Sequence, residues 1–139
     1  MRLIAIDFGT KKSGIAISDP LKIISQPLKT IFYKELNFSF ITEEIKKIID
    51  EYKPIEKIIL GITTNLDNSI SNTGKIILKF YDFLQKELPN ITIVLFDEKY
   101  STKKSKEIMT EMKLSIKQKK ERKDALAAQK ILEDYMDRY

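Results

Sequence analysis

Leu3-Ile4-Ala5-Ile6-Asp7-Phe8-Gly9-Thr10-Lys11-Lys12-Ser13-Gly14-Ile15-Ala16-Ile17-Ser18-Asp19 is the stretch that decides the fold. A run of four apolar residues stops at an acid, a short glycine-containing turn follows, and apolar residues resume with Ile15 and Ile17 alternating against Ala16 and Ser18. This is the pattern of a buried strand, a tight turn and a second strand. Residues 2–7 and 14–19 are expected to be strands, with a third over 28–33. The two connections among them are short enough to favour antiparallel pairing.

Beyond that meander the period changes. Phe38, Ile41, Ile45, Ile48, Ile49 and Tyr52 recur at steps of three and four, predicting an amphipathic helix that stops near Pro54. Residues 57–62 read as a strand. Ile76, Ile77, Phe80, Phe83, Leu84 and Leu88 stripe a second helix, closed by Pro89-Asn90. Residues 91–96 form the last strand, a short helix is expected over 102–112, and a Lys-rich connection leads into a final helix over 123–138. Strand–helix–strand crossovers make parallel pairs. The expected fold class is therefore α/β, a central five-stranded mixed sheet with helices on both faces. At 139 residues and 42% hydrophobic content the chain is expected to form a single domain, 1–139.

Two missing residue types narrow the chemistry. The chain has no Cys and no His. Disulfides, thiolate metal sites, cysteine nucleophiles and a Ser-His-Asp triad are excluded, which leaves carboxylates, Lys, Tyr, Ser/Thr or a metal held by oxygen. Asp7 interrupts the first apolar run before a signal-peptide core could form, and no apolar run nears the roughly 20 residues of a membrane span. A cytoplasmic protein without a membrane partner is expected.

In a parallel sheet joined by helices, the carboxyl ends of the strands share one edge, and ligands bind in the crevice outside them. Three polar, turn-prone clusters are expected there: Asp7 to Lys12, Gly61-Ile62-Thr63-Thr64-Asn65, and Asp97-Glu98-Lys99-Tyr100-Ser101-Thr102. Asp7 ends a buried strand, where an unpaired carboxylate costs several kcal/mol unless a cation or strong donors meet it. Glu98 leaves the last strand towards the same edge. Asp124 shares a helical stripe with Ala128, Ile131 and Tyr135. Each acid also has a plain structural alternative. Asp7 could cap the Gly9 turn, Glu98 could pair with Lys99 or Lys103, and Asp124 could cap the final helix.

Taken together, three carboxylates without imidazole suit a hard cation, Mg²⁺ or Mn²⁺. Two such ions about 4 Å apart support phosphodiester hydrolysis. Lys11, Lys12 and Lys99 would then stand where phosphate oxygens dock, and Thr64, Asn65 and Thr102 complete the expected substrate contacts. The charge distribution points the same way. Residues 99–123 carry ten cations against three acids, a net +7, which leaves −2 for the rest of the chain. A focused basic segment fits a polyanion partner. A lysine-rich solvated surface is the alternative, since Lys outnumbers Arg 22 to 3 throughout.

These residues resemble the YqgF/RuvX family of pre-16S rRNA nucleases, also called Holliday junction resolvases, over essentially the whole chain. Asp7 to Asp19 is similar to the family's opening Asp-x-Gly-x-Lys-Arg-x-Gly-x-Ala-x-Ser-Asp block. Asp97 to Thr102 is similar to its Asp-Glu-Arg-x-Ser/Thr-Thr block, and Lys123-Asp124-Ala125-Leu126-Ala127-Ala128-Gln129-Lys130-Ile131-Leu132 to its closing Asp-x-x-Ala-Ala-x-x-Ile-Leu helix. The resemblance implies a ribonuclease H-like fold and a metal-binding catalytic triad of Asp7, Glu98 and Asp124. Asp7 is then expected to bridge the two ions and the other acids to complete one site each, with water as nucleophile. Two positions depart from the family pattern: Thr63 replaces a loop proline, and Lys99 replaces an arginine that could grip phosphate with two prongs. Neither removes a metal ligand.

The favoured reading is a metal-dependent endonuclease acting on structured precursor rRNA. A resolvase of four-way DNA junctions is the rival within the same chemistry; it needs two active sites and hence a stable dimer. No exposed apolar seam is evident in the sequence, so a monomer or weak dimer is expected. Asp7-x-Gly9-Thr10 before a strand also resembles the first phosphate loop of actin- and sugar-kinase-like ATPases, but those enclose nucleotide between two such domains. A nucleic-acid-binding protein without catalysis, using the basic segment, is the remaining class.

Overall fold

A computed structural model describes residues 1–34, 37–62, 70–97 and 116–139, with the backbone alone for 116–124. The elements in chain order are β1 (Arg2–Phe8), β2 (Lys12–Ser18), β3 (Ser25–Phe32), α1 (Phe38–Tyr52), β4 (Ile55–Ile62), α2 (Asn72–Glu87), β5 (Thr92–Asp97) and α3 (Ile116–Arg138). The strands form one five-stranded sheet in the order β3-β2-β1-β4-β5. β1 and β2 pair antiparallel, as do β2 and β3, whereas β4 lies parallel to β1 and β5 parallel to β4. This is the expected mixed sheet, with β1 at its centre.

The two faces of the sheet follow from strand alternation. Ile4, Ile6 and Phe8 of β1, Ile15 and Ile17 of β2, and Ile58 and Leu60 of β4 pack with Ile41, Ile45 and Ile48 of α1 and Ile77, Phe80 and Leu84 of α2. On the opposite face Leu3, Ala5, Ala16, Ile59 and Phe96 pack with Ala128, Ile131, Leu132 and Tyr135 of α3. The small residues Ala5, Ala16 and Ala128, all fully buried, let α3 approach the sheet closely. β1 and β2 are buried on both faces, so the sequence alternation seen in β2 separates two cores rather than core from solvent.

Boundaries differ from the sequence expectation where apolar periodicity gives no signal. β3 begins at Ser25 and includes Pro27, which an edge strand tolerates. α2 begins at Asn72 because the Ser71 side chain accepts a hydrogen bond from the Gly74 amide at 3.0 Å. Asn37 caps α1 in the same way, through Phe40 N–H at 3.1 Å. α3 begins at Ile116, seven residues before the expected start, so the Lys-rich stretch before Lys123 is helical backbone rather than a connection. Lys, Gln, Glu and Arg are strong helix formers that extend a helix without an apolar stripe. The helix expected over 102–112 lies outside the described residues.

The surface also carries apolar side chains that no period in the sequence singles out. Leu21, Ile23 and Ile24 are exposed at 74%, 70% and 63% of their surface. They belong to the β2–β3 connection, whose backbone is held from within by Asp19, leaving the side chains to solvent. The carboxylate accepts from Ile23 N–H at 2.6 Å, Ile24 N–H at 2.9 Å and Leu21 N–H at 3.2 Å. These donors, Ile24 foremost, hold the Asp19 carboxyl below the usual carboxylate range against an opposing desolvation, with Ile23 and Leu21 contributing less. No helix among the described residues is long and apolar enough to cross a membrane.

Candidate functional site

The parallel registers Ile6↔Leu60, Leu60↔Leu95 and Ile62↔Asp97 bring the carboxyl ends of β1, β4 and β5 to one edge of the sheet. Asp7 lies on β1, half-buried, at this edge. Leu3 and Ala5, two and four residues earlier, face α3, and strand alternation puts Asp7 on that same face. Asp7 pairs with Gly14 of β2, and the parallel register of β1 with β4 closes one step earlier, at Ile6↔Leu60. Across the β1–β2 ladder, Gly14 places no side chain beside the carboxylate.

Phe8 anchors the strand end from the other face. Its ring lies 4.8 Å from that of Phe80, which in turn lies 5.3 Å from Phe38. Beyond it the chain turns through Gly9, Thr10 and Lys11 into β2. A Cβ on Gly9 would sit 2.6 Å from the Lys12 carbonyl oxygen, so glycine is required by close approach of backbone to backbone. A depression of about 330 Å³ opens here, lined by Asp7, Phe8, Gly9, Thr10, Lys11 and Lys12. Lys11 and Lys12 are both exposed at its rim.

Asp7, Lys11 and Lys12 are thus brought together, on one short segment. Glu98, Lys99, Thr102, Thr64 and Asn65 lie outside the described residues, as does the departure at Thr63. Asp97, the last residue of β5, is half-buried and immediately precedes Glu98. The backbone of Asp124 is part of α3, one helical turn before the buried Ala128. Among the described residues no three Asp or Glu side chains gather to hold an ion. Of the expected triad, the side chain of Asp7 alone belongs to that set.

Sequence reasoning missed two residues beside this loop. Tyr33, just past β3, donates its hydroxyl proton to the Gly9 carbonyl and meets Ser13 Oγ at 2.7 Å. The signals were a tyrosine closing the expected third strand, 28–33, and a serine immediately before the expected second strand, 14–19.

A five-stranded sheet in this order, with a central strand ending in a carboxylate and helices on both faces, defines a ribonuclease H-like protein. Solved structures share that fold. The Thermus thermophilus RuvC in complex with a Holliday junction superposes with a TM-score of 0.62 at 14% identity, covering 99% of this chain and 96% of that one. The fowlpox virus resolvase bound to Holliday junction DNA gives 0.60 at 14% identity, covering 99% and 98%. The family model RuvX, Holliday junction resolvase, matches residues 1–138, and the chain belongs to that family. Curated relatives named "Putative pre-16S rRNA nuclease" include one from Clostridium botulinum strain Alaska E43, 36% identical over 99% of this chain and 98% of the relative. Another, from Acetivibrio thermocellus, is 33% identical over 99% of this chain and 96% of its own length. The protein is a nuclease-family enzyme of the phosphodiester-hydrolysing class.

Proposed function

We propose that the protein is a divalent-metal-dependent endonuclease that processes the 5′ end of precursor 16S rRNA, working as one domain in the cytoplasm as a monomer or weak dimer. The observation that carries this reading is Asp7: a half-buried carboxylate at the end of the central strand, facing Gly14 across the β1–β2 ladder and bordered by exposed Lys11 and Lys12. The names of the curated relatives support the rRNA substrate.

The donor chemistry fits a hard cation, because the chain offers carboxylates and no His or Cys. Asp7, Glu98 and Asp124 would hold Mg²⁺ or Mn²⁺, two ions in this reading. When bound, such ions generate a nucleophile from water and stabilise the departing oxygen. The protein's own part is placement. Asp7 is held by the β1–β2 ladder and by Phe8 stacked on Phe80. Lys11 and Lys12, with Lys99, Thr64, Asn65 and Thr102 from the neighbouring strand ends, draw in and orient the phosphate backbone.

Resolution of four-way DNA junctions is the second reading, favoured by the description of the matching family model. The test compares the parent with Asp7→Asn, in Mg²⁺ or Mn²⁺, on an RNA spanning the leader and 5′ end of 16S rRNA and on a four-way DNA junction. Metal-dependent RNA cutting lost in the variant is the expected result. Paired symmetric nicks in the junction alone would promote the resolvase. Cutting by Asp7→Asn at the parental rate would remove Asp7 from the machinery. Tight RNA binding without cutting in either protein would leave a binding module.

A further inference from the structure

We propose that Tyr33 is a positioning residue that clamps the Gly9-to-Lys12 loop in its phosphate-docking shape; this rests on the reading of that loop as the nucleic-acid-facing edge. Tyr33 reaches the loop at three points. Its backbone N–H donates to the Lys11 carbonyl at 3.0 Å, continuing the β2–β3 ladder one step past Phe32. Its hydroxyl donates to the Gly9 carbonyl. A phenol has one proton, so with that proton on Gly9 the Ser13 hydroxyl, 2.7 Å away and fully buried, is the donor to Tyr33 Oη.

The three contacts bracket the segment that carries Lys11 and Lys12. The turn is already compact, since the Lys12 carbonyl oxygen leaves no space for a Cβ on Gly9. Peptide groups in a turn this tight cannot all find partners within it, and the Gly9 carbonyl finds one in the phenol. Tyr33 belongs to the α1–α2 side of the sheet, packed against the core that contains Phe8 and Ile31. Asp7 alternates to the α3 side. The phenol is therefore placed to act through the loop backbone rather than on a substrate. Its effect is preorganisation: two lysines carried on a fixed backbone lose less entropy when they dock on phosphate.

The test is Tyr33→Phe, which keeps the ring and removes the hydroxyl. Three measurements are made on the full chain: amide hydrogen exchange at residues 9–12, with residues 58–60 of β4 as internal control; affinity for a structured RNA probe without cleavage-supporting metal; and KM and kcat on a cleavable RNA. Faster exchange at 9–12, unchanged exchange at 58–60, and Kd and KM raised about fivefold with kcat within about twofold are expected, the scale of one neutral hydrogen bond. Ser13→Ala, which spares the Tyr33–Gly9 bond, is expected to shift KM less. Unchanged exchange at 9–12 overturns the clamp. Faster exchange with unchanged Kd and KM overturns the positioning role and leaves a local structural bond. A parent that binds no nucleic acid overturns the functional reading itself, and the positioning role with it, whatever the variant does to the loop.

Discussion

Asp7 and Gly14 face each other across the antiparallel ladder of β1 and β2, the one a half-buried carboxylate and the other a residue without a side chain. Directly opposed residues in such a ladder have Cβ positions about 4.5–5.5 Å apart. Any side chain at 14 would therefore stand beside the carboxylate, where the proposed cation or phosphate would sit.

Gly14→Val should consequently cost more activity than stability. Valine suits a strand, and crowding at this buried position is expected to cost about 1–3 kcal/mol. Cleavage should fall about 100-fold, the scale of a small misplacement at a reacting centre. Steady-state cleavage beside a urea denaturation curve checks both, and parental turnover in a folded Gly14→Val protein would show that the space is not used.

Lys11→Ala and Lys12→Ala probe the electrostatics of the rim. Both side chains are exposed, so neither contributes to the core. If each neutralises one phosphate, each substitution should weaken binding and lower the slope of log Kd against log salt by about 1. Binding titrations from low to high salt measure this, and an unchanged slope in the double variant would place the phosphates elsewhere.

Phe80 connects the core to the site. It is fully buried, and its ring contacts that of Phe8, the residue between Asp7 and Gly9. Phe80→Ala is expected to destabilise the fold by about 3–5 kcal/mol through lost transfer and a residual cavity. Phe80→Leu should recover most of that stability and the activity. Guanidinium unfolding with parallel cleavage assays separates the two effects.

Acid sensitivity should trace in part to Asp19. Its carboxyl is held below the ordinary value in the folded protein, chiefly by Ile24 N–H, with desolvation opposing. A depressed folded pKa contributes stability above the unfolded value, and the contribution disappears as pH falls through the folded pKa. The Tm difference between parent and Asp19→Asn should therefore be constant at neutral pH and shrink below about pH 4. A difference independent of pH down to 2 would show that the charged form is not what holds the turn.

The ordering of elements was readable because each buried side chain imposes a period. Ile41, Ile45 and Ile48 reveal α1 through steps of four and three, and the apolar run Leu3 to Ile6 reveals β1 by its abrupt end at Asp7. Asp124, Ala128, Ile131 and Tyr135 gave the direction of α3, but not its start, because residues 116–122 are helical through propensity and carry no apolar stripe. Leu21, Ile23 and Ile24 gave no warning of exposure, since composition cannot tell an apolar residue turned outward by an Asp19-capped turn from one in a core.

By itself, then, the sequence determined the α/β class, the alternation of strands and crossover helices, the shared edge of the strand ends, the exclusion of thiol and imidazole chemistry, and the position of Asp7 at that edge. Those properties are local or follow from chirality, and a period of two or 3.6 carries them. Only the tertiary structure decided that Gly14 is the residue opposite Asp7, that Phe8 leans on Phe80, and that Tyr33 reaches back 24 residues to the Gly9 carbonyl. Register and side-chain reach across strands depend on how the two cores close around the sheet, and no window of consecutive residues contains that information.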